Sequence, residues 1–124
     1  MAKKKILVVD DDQSITKFIK FALERSGNYE VLCESEGKKA LPTAKSFSPN
    51  LVLLDVNLPD AQGGEVLEWF NEDPVVRKIP VVFLTGIVSQ EEMQSGITIA
   101  GRPAIAKPIK IEVLIESIEK NATP

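Results

Sequence analysis

Three short runs without a polar residue, Ile6-Leu7-Val8-Val9, Leu51-Val52-Leu53-Leu54 and Val81-Val82-Phe83-Leu84, limit this chain more than any other feature. A strand with one wet face alternates apolar and polar residues. A continuous apolar run reads as a strand buried on both faces, as in a parallel sheet covered by helices. Helical spacings lie between the runs. Ile15, Phe18, Ile19, Ala22 and Leu23 share one helix face, and Gly27 stands where a helix C-terminal glycine is expected. Residues 29–33 read as a second strand. Ala40, Leu41, Ala44 and Phe47 suggest a second helix, which Pro42 requires to be kinked or to start late. Val66, Leu67 and Phe70 mark a third helix after the turn residues Gly63 and Gly64, with Trp69 an anchor at the core's edge. Ser89 and Glu92 have capping-box spacing and predict a fourth helix. Gly96 interrupts it and Ile97-Thr98-Ile99 alternates like a strand, so that helix is expected to be short or irregular. Ala104-Ile105-Ala106 is a short fifth strand. Val113, Leu114 and Ile118 give a last helix, and residues 121–124 look like a frayed end. Five strand-then-helix units imply an α/β, doubly wound (βα)5 three-layer sandwich with right-handed crossovers.

Composition narrows the chemistry. The 124 residues carry 15 basic and 18 acidic side chains, a net charge of −3, which argues against a general nucleic-acid binder. The length suits one domain spanning 1–124, with its core at about 4–120. No apolar run approaches the roughly 20 residues of a membrane helix, and the one after Lys3, Lys4 and Lys5 is too short for a secretion signal. The expected location is cytoplasmic. There is no histidine, which removes a Ser-His-Asp triad, a histidine metal site and an internal histidine phosphoryl carrier. The one cysteine, Cys33, cannot form an intrachain disulfide and reads as a small buried apolar residue. The available chemistry is that of carboxylates, hydroxyls and lysines.

In a parallel α/β sheet, ligands bind beyond the carboxyl ends of the strands, where the strand order reverses. Strand one ends in Asp10-Asp11-Asp12, strand three in Asp55, strand four in Thr85-Gly86 and strand five in Lys107-Pro108. In the order 2-1-3-4-5, Asp10, Asp11 and Asp55 converge on the reversal. Two like charges about 4 Å apart repel by roughly 4 kcal/mol at an effective dielectric near 20, so such a cluster calls for a cation. An all-oxygen site with few protein ligands suits Mg²⁺. Each residue also has an ordinary reading: Asp12 as an N-cap, Asp55 as a turn residue, Thr85 as a β-branched strand end, Lys107 as a solvated charge. Coincidence favours the functional reading, because four strand ends carry the acid pair, the lone acid, the hydroxyl and the amine.

These residues resemble the receiver domain of bacterial two-component response regulators, with a layout similar to the single-domain chemotaxis regulator and the flavodoxin-like form of this architecture. The resemblance runs from Lys4 to about Lys120. It is carried by Ile6-Leu7-Val8-Val9-Asp10-Asp11, Leu53-Leu54-Asp55-Val56-Asn57-Leu58-Pro59, Gly63, Leu84-Thr85-Gly86 and Ala106-Lys107-Pro108. It implies that Asp55 is the phosphoryl acceptor and that Asp10, Asp11, Asp55 and the backbone carbonyl of Asn57 hold Mg²⁺. Thr85 would bond a phosphoryl oxygen, Lys107 would pair with the phosphoryl group, and the Lys107–Pro108 bond would be cis. The implied partners are a sensor histidine kinase or histidine phosphotransfer protein as donor and an unknown downstream protein target. Nucleic acid and membrane are not expected, and the chain would be a monomer or weak homodimer. It would load itself and lose the phosphoryl group slowly, without a turnover substrate, and so would not be an enzyme.

Several positions depart from the family pattern, the unusual segment from Gly96 to Pro103 among them. Ala104 stands where an aromatic residue often reports phosphorylation, which puts the usual switch in question. Gln62 replaces the acid that commonly precedes the turn glycine. Ile87 has no group to orient an attacking water, so the acyl phosphate is expected to be long-lived. A competing reading is a phosphorylation-independent interaction module with a vestigial site. An aspartyl-phosphate hydrolase fits less well, since Asn57 stands where a second Asp is needed. A flavin binder lacks a glycine-rich phosphate loop.

Overall fold

The computed structural model of the chain describes residues 2–86 and 98–124. Strands β1 (Lys4–Val9), β2 (Tyr29–Glu34), β3 (Leu51–Asp55) and β4 (Val81–Thr85) alternate with helices α1 (Gln13–Glu24), α2 (Gly37–Phe47) and α3 (Gly63–Glu72). A short 3₁₀ turn at Val76–Lys78 leads into β4. Strands β5 (Thr98–Ile99) and β6 (Arg102–Ala106) precede the last described helix, α4 (Ile111–Asn121). The expected fourth helix at Ser89 and Glu92, and Ile87, lie outside the described residues.

The sheet runs β2-β1-β3-β4-β6-β5. Its first five strands are parallel, in the expected order. The sixth is an addition: β5 pairs antiparallel with β6 through Thr98 with Pro103 and Ile99 with Arg102. Ala100 and Gly101 form the two-residue turn between them, both at positive φ (51° and 77°), as a type I′ hairpin requires.

The apolar runs explain the three layers. Alternate residues of the central strands face opposite ways. Leu7, Val9, Val52, Leu54, Val81 and Phe83 pack with Ala40 and Ala44 of α2 and Val66, Leu67 and Phe70 of α3. Ile6, Val8, Leu51, Leu53, Val82, Leu84 and Ile105 pack with Ile19 and Leu23 of α1 and Leu114 and Ile118 of α4. Burying each such Val, Leu, Ile or Phe stabilises the fold by roughly 1.5–3 kcal/mol. Trp69 packs at the edge of the first cluster, as expected. Cys33 is half-buried rather than fully enclosed, with its Sγ 3.7 Å from the Thr16 carbonyl.

Several local expectations are corrected. Helix α2 begins at Gly37 and runs through Pro42, so of the two expectations for it the late start is the one overturned. Gly63 and Gly64 are the first residues of α3, not a turn before it. The Glu65 carboxylate accepts the Gln62 N–H at 3.1 Å, which secures that start. Residues 121–124 are docked, not frayed: the Thr123 N–H donates to the Asn50 carbonyl at 3.1 Å, and its hydroxyl donates to the same oxygen at 3.2 Å. At the outer border of the sheet, Lys20 Nζ donates to the Val31 carbonyl at 2.7 Å and the Val31 N–H donates to Glu24 Oε2 at 3.0 Å. This clasp ties α1 to the outward-facing backbone of β2.

Candidate functional site

The parallel register carries the polar strand ends to one side of the sheet. Val9 pairs with Leu54, Asp55 with Leu84 and Thr85 with Ala106, so Asp10, Asp55, Thr85 and Lys107 leave the sheet together. Backbone bonds continue the alignment past the strands: Val56 N–H donates to the Leu84 carbonyl at 3.2 Å, and Lys107 N–H to the Thr85 carbonyl at 2.8 Å. The Lys107–Pro108 peptide bond is cis.

The side chains meet as follows. Asp10 is 1% exposed and Asp55 is 6% exposed, while Asp11 lies at the surface. One oxygen from each of Asp10, Asp11 and Asp55 can be chosen so that all three lie within 4.8 Å of one another. Lys107 Nζ is 2.9 Å from Asp10 Oδ2 and 3.4 Å from Asp55 Oδ1. Asp10 Oδ1 accepts the Asp12 N–H at 2.9 Å, and Asp55 Oδ1 the Asn57 N–H at 3.3 Å. Asp12 turns away to cap α1, accepting the Ser14 N–H at 3.0 Å and the Ile15 N–H at 3.4 Å. The Asn57 side chain is exposed. Its backbone forms an antiparallel bridge with Gln62 that folds the β3–α3 loop back on itself. Thr85 is buried at the end of β4.

Charge does not balance here. Burial, then the neighbouring Asp10 charge, pushes the Asp55 carboxyl above the usual carboxylate range, and Lys107 and the Asn57 N–H pull it back only in part. Burial alone would lower the Lys107 ammonium, but Asp10 and Asp55 outweigh it and hold the amine charged. Three carboxylates among the described residues therefore face the one ammonium of Lys107. Among the described residues, the buried Asp10 Oδ2 finds no well-aimed hydrogen bond; its contact with Lys107 is an ion pair. A desolvated, under-satisfied carboxylate oxygen beside two more carboxylates fits a hard divalent cation.

Two residues at this site were not singled out for the parts they play. Gly63 is pressed against the acceptor strand: a Cβ there would stand 2.6 Å from the Asp55 carbonyl oxygen. A glycine pair after an apolar strand carries that signal only weakly. Asp60 caps α2 from the loop after β3, accepting Gly37 N–H and Lys38 N–H at 2.9 Å each. No local sequence pattern marks a cap supplied from so far along the chain.

Comparison with known proteins bears on the family and the fold. A family model described as the response regulator receiver domain matches residues 6–119. The polar-differentiation response regulator DivK of Brucella ovis is 33% identical over 119 residues, which is 94% of this chain and 94% of that protein. The chemotaxis protein CheY4 of Vibrio cholerae superposes with a TM-score of 0.81 at 28% identity, covering 96% of this chain and 98% of that one. The receiver domain of the sensor histidine kinase PA1611 of Pseudomonas aeruginosa, described with a magnesium ion coordinated in its active-site cleft, has a TM-score of 0.80. At 24% identity, with 96% and 97% of the two chains covered, it bears on the fold alone.

Proposed function

This chain belongs to the response regulator receiver family of two-component signalling, and from that premise we propose that it is a phospho-switch in which Asp55 accepts a phosphoryl group from a phosphohistidine on a sensor kinase or phosphotransfer protein. The observation that carries this reading is the meeting of Asp10, Asp55 and Lys107 at the carboxyl ends of three different strands.

An Asp55 carboxylate oxygen attacks phosphorus in line, the donor's P–N bond breaks, and the imidazole leaves with the bonding electrons. A proton on its other nitrogen makes it a neutral leaving group. The raised affinity of Asp55 for protons marks an anion held under electrostatic pressure, and bonding to phosphorus consumes that anion. Lys107 stands within reach of the acceptor oxygen and would pair with the phosphoryl group; the Thr85 hydroxyl would donate to a second phosphoryl oxygen. Asp10, Asp11, Asp55 and the Asn57 carbonyl would hold Mg²⁺, which supplies charge neutralisation at the equatorial oxygens. Asp12 is committed to its helix cap and takes no part.

Such a chain loads itself and has no turnover substrate. Its output is a changed surface offered to a downstream protein, or onward passage of the phosphoryl group, with the work done in the cytoplasm. Among the described residues, no helix is long and apolar enough to cross a membrane. Intact-mass spectrometry after incubation with acetyl phosphate and Mg²⁺ tests the reading. Wild type is expected to gain one phosphoryl group and Asp55→Asn none. An unlabelled wild type would favour a phosphorylation-independent interaction module.

A further inference from the structure

The loop after β3 is a tight hairpin. Asn57 bridges to Gln62, Leu58 N–H donates to the Ala61 carbonyl at 3.2 Å, and Gly63 N–H donates to the Val56 carbonyl at 2.7 Å. Pro59 and Asp60 form its tip, and the tip is fastened. Asp60 Oδ1 accepts the Gly37 N–H and Oδ2 the Lys38 N–H, both at 2.9 Å. These are two of the backbone donors that the first turn of a helix cannot satisfy internally. The residue preceding α2, Glu36, makes no side-chain cap bond, so Asp60 does the capping from a different element. The two N–H donors, Lys38 and then Gly37, hold the Asp60 carboxyl below the usual carboxylate range. Packing repeats the connection: a Cβ at Gly37 would stand 3.1 Å from Leu58 Cδ1 and 3.2 Å from Ala61 Cβ, so the helix start presses directly on the loop.

We propose that Asp60 is a positioning residue, which by clamping the tip of the β3–α3 loop to the first turn of α2 holds the Asn57 carbonyl ready for the cation and so couples occupancy of the acid site to that helix. This rests on the magnesium reading given above. A carbonyl on an untethered loop must be ordered as the ion binds, and that entropy subtracts from affinity. A loop pinned at its tip has already lost the freedom. The coupling is reciprocal: an ion that draws in the Asn57 carbonyl also tightens the bonds from Asp60 to Gly37 and Lys38.

The test is calorimetric titration of the wild-type chain, Asp60→Ala, Asp60→Asn and Asp73→Ala with Mg²⁺. Both Asp60 replacements remove the same charge, so any through-space loss of attraction is shared, but Asn keeps one acceptor for the α2 amides. Asp60→Ala is expected to weaken binding by about tenfold, the scale seen for outer partners of metal ligands, with Asp60→Asn in between. Asp73 accepts two backbone N–H groups, Val75 and Val76, at 2.9 Å each, away from the acids. Its loss is expected to leave Mg²⁺ affinity unchanged even where stability falls. Hydrogen exchange at Gly37 and Lys38 of the wild type is expected to slow when Mg²⁺ saturates the site. Equal weakening in both Asp60 variants, no weakening in either, or exchange indifferent to Mg²⁺ would overturn the clamp. A wild type that binds no Mg²⁺ at all would instead overturn the reading on which the clamp rests.

Discussion

Gly63 lies directly against Asp55: a Cβ on Gly63 would sit 2.6 Å from the Asp55 carbonyl oxygen and 3.0 Å from Val56 Cα. Both obstacles are backbone, which cannot rotate aside. The start of α3 and the end of β3 are therefore held at a separation that only a residue without a side chain permits.

Gly63→Ala is expected to destabilise the chain by about 1–3 kcal/mol, the range for overpacking a close contact. Because the displaced atoms belong to the acceptor strand, labelling of Asp55 should slow as well. Denaturant midpoints and the acetyl phosphate time course check both. Gly64→Ala is the control, since its Cβ would meet nothing within 4 Å.

Removing the acceptor's charge should strengthen the metal-free fold. Burial and Asp10 raise the folded-state affinity of Asp55 for protons above that of the unfolded chain. The folded state then holds the proton longer as pH rises. Stability linked to this group is present at low pH and is lost as pH climbs through the raised value. Asp55→Asn removes that buried charge, and is expected to gain on the order of 1 kcal/mol in chelator-treated protein above the raised value. Its stability should also fall less across the acidic range than that of wild type. Urea unfolding at several pH values in the presence of EDTA measures both.

Magnesium should stabilise the wild type by mass action. At about ten times its dissociation constant the gain is about 1.4 kcal/mol, removed by EDTA. Asp11 is exposed, so Asp11→Asn is expected to lower this gain while leaving the metal-free melting temperature nearly unchanged. Thermal melts with and without Mg²⁺ report the difference.

At the opposite end of the sheet, the buried Tyr29 hydroxyl donates to Glu119 Oε2 at 2.7 Å, which also pairs with Lys4 Nζ at 3.2 Å. Burial and the bond to Glu119 push the Tyr29 phenol from 10.0 up to about 12. Between those values the unfolded chain loses the proton and the folded chain keeps it, so stability falls as pH rises from 10.0 towards 12. Tyr29→Phe should flatten that decline, and should cost about 1.5 kcal/mol at neutral pH for the lost bond to a charged acceptor. Unfolding midpoints measured from pH 8 upward decide it.

What could be read from the sequence follows the range of the interactions involved. The strands of Ile6, Leu51 and Val81 announce themselves because burial on both faces leaves no polar residue in the run. Asp10, Asp55, Thr85 and Lys107 were legible as strand ends, since a parallel sheet gathers those ends by topology alone. Features made by contacts between distant segments were not legible. Asp60 satisfies amides of a helix that begins at Gly37, and nothing next to either residue shows it. Two glycines are poor helix formers, so Gly63 and Gly64 read as a turn; the tight approach to Asp55 that requires the first of them exists only once β3 and α3 are packed. The alternation at Thr98 and Ile99 was visible, but its pairing with Arg102 and Pro103 depended on a turn in which Ala100 takes positive φ, which composition does not favour.

The clasp that Lys20 and Glu24 close over Val31 matters most in a crowded solution. A foreign segment can lengthen a sheet only by finding consecutive open amides and carbonyls along its flank, and here the middle rung is already occupied from within the same molecule. On the other flank, β5 offers two residues, too few for a ladder. The β2 flank therefore gives fibril growth no uninterrupted template, and the acid cluster can stay open to visiting proteins at one end of the sheet without that side inviting aggregation.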